Sequence, residues 1–129
     1  MKKFFFDMDG VLFDIEERIN KFPEVVTNIS VNEYGQNEFH VNWEKLKQID
    51  PNFFFELRPN EKIKKIFEEI TTHIPSDLIL ECFFVLSSTA KNKFEGIVDQ
   101  KTSALRKEFP IFSPKNQIFV SHASLKQYC

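Results

Sequence analysis

Three short apolar runs constrain the fold of this chain most, because turn residues bound each one and helical patterns separate them. They occupy residues 4–6, 78–86 and 118–120. Apolar runs of this length are typical of strands that are buried on both faces of a parallel sheet. Strands that alternate with helices predict an α/β fold with a parallel sheet and right-handed crossovers.

Amphipathic patterns and capping residues predict the helices between these runs. Asn60 is a suitable N-cap for a helix that places Ile63, Ile66, Phe67 and Ile70 on one face. Asn42 is a suitable N-cap for a helix that ends at Ile49. Two further helices are predicted at residues 14–22, before Pro23, and at residues 98–109. A turn at residues 34–37 could join two short strands.

Length and composition narrow the class of protein. A chain of 129 residues fits one domain, and its sixteen phenylalanines predict a thick aromatic core. Seventeen basic and nineteen acidic residues without a basic block give no reason to expect a nucleic acid polymer or a membrane as partner. The two cysteines form no disulfide framework, and residues 4–6 are too short for a signal peptide, so we expect a cytoplasmic protein.

Polar side chains follow the first two apolar runs at the point where each predicted strand ends. Asp7 and Asp9 follow the first run, and Ser87 and Ser88 follow the second. Ligands of open α/β sheets bind outside the carboxyl ends of the strands, so these side chains are expected to converge. Two aspartates one residue apart suit phosphoryl transfer, in which a Mg²⁺ ion offsets the repulsion between carboxylate and phosphate.

Each of these signals also has an ordinary structural interpretation. An Asp-x-Asp-Gly sequence occurs in other metal-binding loops and as plain turn residues. Hydroxyl residues often end strands and cap the next helix. Most lysines in proteins are solvated, so Lys91 and Lys126 taken alone indicate no site. Only the combination favours a site.

At this point the motifs show a resemblance. The segment Asp7-Met8-Asp9-Gly10-Val11-Leu12 resembles the first motif of the haloacid dehalogenase superfamily, and more narrowly of its 5'(3')-deoxyribonucleotidases. Residues 52–57 with Pro59 resemble the return of that family's cap to the core, and residues 87–91 are similar to its second motif. The resemblance implies a Rossmann-like parallel sheet (core residues 1–14 and 58–129) with a small cap inserted at about residues 15–57.

The resemblance also implies roles for individual residues. Asp7 would be the nucleophile and Asp9 the general acid and base, and both would bind Mg²⁺, Asp9 through its carbonyl. Phosphate would be bound by Ser87, Ser88, Lys91 and a lysine of the third motif, for which Lys126 is the candidate and Lys101 the alternative. Phe54 would line the substrate pocket.

The chain departs from the family pattern in two ways. Ile15 stands where an aromatic residue is expected, and no clear aromatic pair occurs in the cap, although Tyr34, Phe39 and Trp43 are near enough to contribute. The acidic pair of the fourth motif has no counterpart, which predicts a chain that is truncated before its last strands. The strand at residues 4–6 would then be an open sheet edge, available to a homodimer or to a partner chain.

These observations lead to one leading expectation and two alternatives. The leading one is a Mg²⁺-dependent phosphomonoesterase that acts on a deoxynucleoside monophosphate through an aspartyl-phosphate. The first alternative is a related phosphatase for another small phosphate ester. The second is a truncated, catalytically weak remnant that binds phosphate or a partner chain.

Overall fold

The computed structural model describes residues 2–35 and 37–129, and it confirms the predicted α/β class with a parallel sheet. Within these ranges the strands are β1 (Phe4–Asp7), β2 (Val26–Val31), β3 (Asn37–Val41), β4 (Phe83–Ser88) and β5 (Gln117–Val120). The sheet has the order β1-β4-β5, and all its pairs are parallel. The strands β2 and β3 form a separate antiparallel hairpin, as the turn at residues 34–37 suggested, although Gln36 lies outside the described residues.

The helices are α1 (Ile15–Ile19), α2 (Trp43–Ile49), α3 (Glu61–His73), α4 (Ser76–Cys82) and α5 (Ile97–Glu108). Asn42 and Asn60 cap α2 and α3 as predicted, and α5 lies within one residue of the predicted range. The helix predicted at residues 14–22 is shorter, because backbone bonds between residues three apart tighten the chain after Ile19 and Pro23 begins a 3₁₀ turn. None of the described helices is long and apolar enough to cross a membrane.

The strand predicted at residues 78–86 is wrong in its first half. Residues 76–82 form α4, in which Ile79 and Cys82 are buried on one face while Glu81 is exposed. The amide of Asn116 donates hydrogen bonds to the carbonyls of Leu80 and Phe83, at 2.7 and 2.8 Å, where the helix gives way to β4. A side chain that is distant in sequence therefore helps to fix this boundary, which the local apolar pattern could not reveal.

The first strand is an edge of the sheet. We expected it to be buried on both faces, but Phe4 is 49% exposed and Phe5 is 41% exposed. Within the described residues, β1 pairs with β4 alone, so its other side has no neighbouring strand. The prediction of a strand at this position is confirmed, and the prediction of its burial is wrong.

Phe67 anchors α3 to the sheet. Its ring is 4% exposed and lies 5.0 Å from Phe6, 5.8 Å from Phe109 and 5.4 Å from Phe112, measured between ring centroids. Edge-to-face contacts of this kind stabilise a core beyond the burial of apolar area. Ile66, which we predicted on the same apolar face, is 52% exposed.

The segment between β1 and α3 leaves and rejoins the parallel sheet at one place. The Asp14 amide donates to the Arg58 carbonyl at 3.0 Å, and the Asn60 amide donates to the Leu12 carbonyl at 2.8 Å. We call residues 15–57 the insert. The insert also contacts α5, because the side-chain amide of Gln100 donates to the Pro51 carbonyl at 2.6 Å and accepts from the Phe54 amide at 3.2 Å.

Phe67→Ala should lower the free energy of unfolding by about 3–5 kcal/mol, because it leaves a cavity among aromatic rings. Ile66→Ala is the matched control, and it should change stability by less than about 1 kcal/mol because its side chain is half exposed. Urea denaturation followed by circular dichroism measures both. Equal losses in the two variants would contradict the described orientation of α3.

Candidate active site

The loop after β1 carries two partly exposed carboxylates, and apolar side chains of the same loop are buried beneath them. Met8, Leu12 and Phe13 are fully buried, whereas the side chains of Asp7 and Asp9 are 48% and 25% exposed. Gly10 has a φ of +86°, a conformation that other residues adopt only with strain. Its amide donates to the Phe13 carbonyl at 2.8 Å, which closes the loop.

Lys101 joins this loop to the end of β4. Its side chain is 1% exposed, and its Nζ donates to Asp9 Oδ2 at 2.8 Å, to Ser87 Oγ at 2.7 Å and to the Ser88 carbonyl at 2.8 Å. A lysine ammonium has three protons, and all three are used here. The expected convergence of polar groups from the ends of the first two parallel strands is therefore present in the structure.

Lys126 forms a second ion pair in the same place. It belongs to the 3₁₀ segment Ala123–Tyr128, and its Nζ lies 2.6 Å from Asp7 Oδ1. The two lysines considered for the third motif are thus both present, each at a different aspartate. Each of the two aspartates is thus paired with a lysine before any ligand binds.

The two serines occupy different environments. Ser87 is fully buried, and its hydroxyl accepts from Lys101. Ser87 has no exposed surface with which to touch a ligand, so the structure does not support its expected contact with phosphate. The Ser88 hydroxyl accepts from the Ala90 amide at 3.0 Å, which is the ordinary capping role of a hydroxyl at a strand end.

Lys91 is not brought to the aspartates. It is exposed and has a φ of +56°, within a turn in which Ala90 and Asn92 also have positive φ. Its amide donates to the Ser121 carbonyl at 2.7 Å, so the turn is bonded to the chain that follows β5. Within the described residues its side chain makes no hydrogen bond or ion pair with Asp7, Asp9 or Ser87, and its expected part in phosphate binding is not supported.

A cleft of about 670 Å³ lies between the aspartate loop and the insert. Two parts of the chain line it: the aspartate loop, with Asp7, Asp9, Gly10 and Val11, and the insert, with Ile15, Glu16, Ile19, Asn37, Phe39 and Trp43. The aspartate loop thus contributes two carboxylates to the lining, and the insert contributes two aromatic rings and the carboxylate of Glu16. The size is within the range of pockets that hold small molecules.

Phe54 does not line this cleft, which corrects the expected position of that residue. It is 1% exposed and packs beneath Trp43, with 5.6 Å between ring centroids, and beside Phe94 at 4.9 Å. Lys101 Nζ lies 4.9 Å from its centroid. Phe54 therefore supports the site from below, and Phe39 and Trp43 take the place at the surface.

The oxygen atoms of the loop fit a hard cation. Asp7 and Asp9 supply carboxylates, and Asp9 Oδ1 is buried without a hydrogen-bond partner among the described residues. A buried carboxylate oxygen left in this way is costly, and a cation, a water molecule or a ligand hydroxyl would satisfy it. Among residues 2–35 and 37–129, however, no group of three or more acidic, histidine or cysteine side chains surrounds a possible metal position.

Lys101 was the alternative candidate for the third motif, but its burial and its bonds to Asp9 and Ser87 were not predicted, although the sequence contains a signal for them. Ile97, Lys101, Ala104 and Leu105 are spaced so that they share one face of α5, and all four are buried. A lysine on an otherwise apolar face needs a partner to be buried there. No local signal indicated that Glu16 and Asn37 would line the cleft, because their position depends on how the insert folds back.

No protein-family model matches the chain, and a search of the curated proteins finds no significant match.

Lys101→Met should destabilise the protein by about 3–5 kcal/mol, since it removes one partner of a buried ion pair and leaves Asp9 and Ser87 without their donor. Lys126→Met is the matched control and should cost about 1 kcal/mol or less, because its pair with Asp7 is partly exposed. Denaturation curves of the two variants measure the difference. If both variants lose the same stability, Lys101 does not hold the strand ends together.

Proposed function

We propose that this protein is a Mg²⁺-dependent phosphomonoesterase of the haloacid dehalogenase type, similar in substrate class to the 5'(3')-deoxyribonucleotidases. One observation carries the proposal. Asp7 and Asp9 leave the carboxyl end of β1, and Lys101 connects Asp9 to Ser87 at the carboxyl end of β4. A nucleophile, a second carboxylate and a fixed cation thus meet beside a cleft.

The finer description of the fold belongs to the same proposal. A Rossmann-like core (residues 1–14 and 58–129) would carry the chemistry, and the insert would be its cap. The insert supports this description because it forms elements of its own between the two points at which the chain leaves and rejoins the sheet. These elements are α1, β2, β3 and α2. The cleft between the insert and the aspartate loop has the position that a cap would give to a substrate.

The first chemical step is attack by Asp7 on the phosphorus of the ester. Lys126 holds Oδ1, which leaves Oδ2 to form the new bond to phosphorus. The bond between phosphorus and the ester oxygen breaks. Asp9, which takes up a proton from solvent when the negatively charged substrate binds beside it, gives that proton to the ester oxygen, so the alcohol leaves neutral. The exposed quarter of the Asp9 side chain is available for this transfer, because Oδ1 itself is buried.

The second step restores the enzyme. Asp9, now ionised, accepts a proton from a water molecule while the water oxygen attacks the phosphorus of the aspartyl-phosphate. The bond between phosphorus and Asp7 breaks, and inorganic phosphate leaves. The fixed positive charges of Lys101 and Lys126 offset the negative charge that gathers at the loop in both steps.

The oxygen donors of the loop suit magnesium. Asp7 and the Asp9 carbonyl would hold it, and water and the substrate phosphate would complete its shell. The cation supplies charge that offsets the repulsion between a carboxylate and a phosphate dianion. Among the described residues no group of three acidic, histidine or cysteine side chains could hold the cation, so we expect weak affinity for it.

The walls of the cleft support a nucleotide as substrate. Phe39 and Trp43, both from the insert, bring flat apolar surfaces to the lining of the cleft, as a base would require. A pyrimidine deoxynucleoside monophosphate is the expected substrate. Glu16 and Asn37 also line the cleft and could bind hydroxyl groups, which favours another small phosphate ester as the second candidate.

A third possibility is a catalytically weak remnant that binds phosphate or a partner chain. The full burial of Ser87 and the position of Lys91 away from the aspartates leave fewer groups for a substrate phosphate, which favours it. Turnover separates it from the two enzyme candidates, because a remnant would bind phosphate without releasing it from an ester.

Asp7→Asn should lower phosphate release at least about 1,000-fold, because an amide is a poor nucleophile of nearly the same shape. Asp14→Asn is the control, since asparagine can also accept the hydrogen bond from the Glu17 amide that caps α1. Phosphate release from a panel of esters in the presence of Mg²⁺ measures both variants. Turnover at the wild-type rate in Asp7→Asn would contradict this mechanism.

Trp43→Ala should raise the KM for a nucleotide about tenfold, which is within the range of a lost contact between an aromatic ring and a base. The KM for a sugar phosphate should change little. Tyr34→Ala is the control, because Tyr34 is 79% exposed and does not line the cleft. If sugar phosphates are better substrates than every nucleotide and Trp43→Ala affects them equally, the second candidate is correct.

A further inference from the structure

The outer side of β1 offers backbone groups for pairing. The Met8 amide donates to the Leu86 carbonyl, and Asp7 is the residue in register with Leu86. In a parallel ladder, alternate residues direct both their amide and their carbonyl toward one neighbour. Phe6 and Met8 therefore face β4, and the backbone groups of Phe5 face away from it.

The surface around this edge is apolar. Phe4 and Phe5 are 49% and 41% exposed, and a depression of about 380 Å³ lies beside Phe4, with Ile74, Leu78 and Phe83 among its lining residues. Leu78 is itself 38% exposed. An exposed apolar strand edge of this kind is a ready template for another strand.

The order of charges along β1 is complementary to that of a second β1 strand that runs antiparallel to it. Lys2 and Lys3 precede three phenylalanines, and Asp7, whose Oδ1 also accepts from Lys126, follows them. When two copies of this segment run antiparallel, the basic end of each lies beside the acidic end of the other. An unrelated strand would not in general carry this order of charges, which favours a second copy of the chain as the occupant.

We propose that β1 pairs antiparallel with β1 of a second copy, in the register that places Phe5 opposite Phe5. A two-fold axis perpendicular to the sheet relates such strands, so the residues that face each other lie on the same face. In this register Phe4 faces Phe6, and Lys3 faces Asp7 of the second copy. The two three-stranded sheets become one continuous sheet.

The register agrees with the outward backbone groups. The Phe5 amide of each copy donates to the Phe5 carbonyl of the other, which is the hydrogen-bonded pair of an antiparallel ladder. Phe4 of the second copy comes close to the apolar depression, beside Phe6. Shifting the strands by two residues would place phenylalanine opposite lysine or aspartate, so the central register is the one that matches both charge and apolar contact.

The test is sedimentation equilibrium of the full chain across the micromolar range, compared with two charge reversals. Lys3→Glu places Glu opposite Asp7 at both ends of the pair, and it should weaken the dimer roughly tenfold. Lys2→Glu makes the same change of charge, but residue 2 lies on the other face and opposite Met8, so it should change the affinity less than about twofold. A chain that is monomeric throughout, or a dimer that the two variants weaken equally, would overturn the proposal.

A second measurement does not depend on these variants. Hydrogen exchange of the Phe5 amide should slow as the protein concentration rises, because pairing buries that group. The exchange of an exposed amide in the β2–β3 hairpin should not change. Exchange at Phe5 that is independent of concentration would overturn the proposal even if a dimer forms elsewhere.

Discussion

The buried ammonium of Lys101 is the interaction on which the rest of the site depends. A charge with 1% exposure is stable in a protein interior only if its hydrogen bonds are complete. Three oxygens meet this need, from Asp9, Ser87 and Ser88. These atoms come from the ends of two adjacent parallel strands, so satisfying one lysine also sets the distance between the aspartate loop and the end of β4.

The helix α5, which carries Lys101, also positions the insert. Gln100 precedes Lys101 on α5 and binds the backbone of Pro51 and Phe54, and Phe54 packs between Lys101 and Trp43. The wall of the cleft is thereby linked through one ring to the charge beneath the aspartates. A substitution at Phe54 would therefore act on the cleft indirectly, which differs from direct contact with a substrate.

The sequence predicted those features that depend on neighbouring residues. The asparagine caps of α2 and α3, the strands at residues 4–6 and 118–120, and the gathering of Asp9 and Ser87 follow from local patterns and from the general geometry of parallel sheets. Features that depend on distant contacts were missed. Asn116 helps to set where α4 ends, the left-handed turn at residues 90–92 carries Lys91 away from the aspartates, and the folding of the insert places Trp43 above Phe54. Burial of the lysine at position 101 could have been inferred from its apolar helix face, because an isolated buried charge is unstable.

The proposed function depends most on attack by Asp7 on phosphorus, at the place where the ends of β1 and β4 meet. Reductive trapping tests it most directly: the protein is mixed with a phosphate ester and Mg²⁺, quenched with borohydride during turnover, digested, and its peptides weighed by mass spectrometry. An acyl phosphate is reduced to an alcohol, so the account predicts homoserine at position 7 and unchanged aspartate at positions 9 and 14. Release of phosphate without any change at position 7, or trapping at another residue, would contradict it.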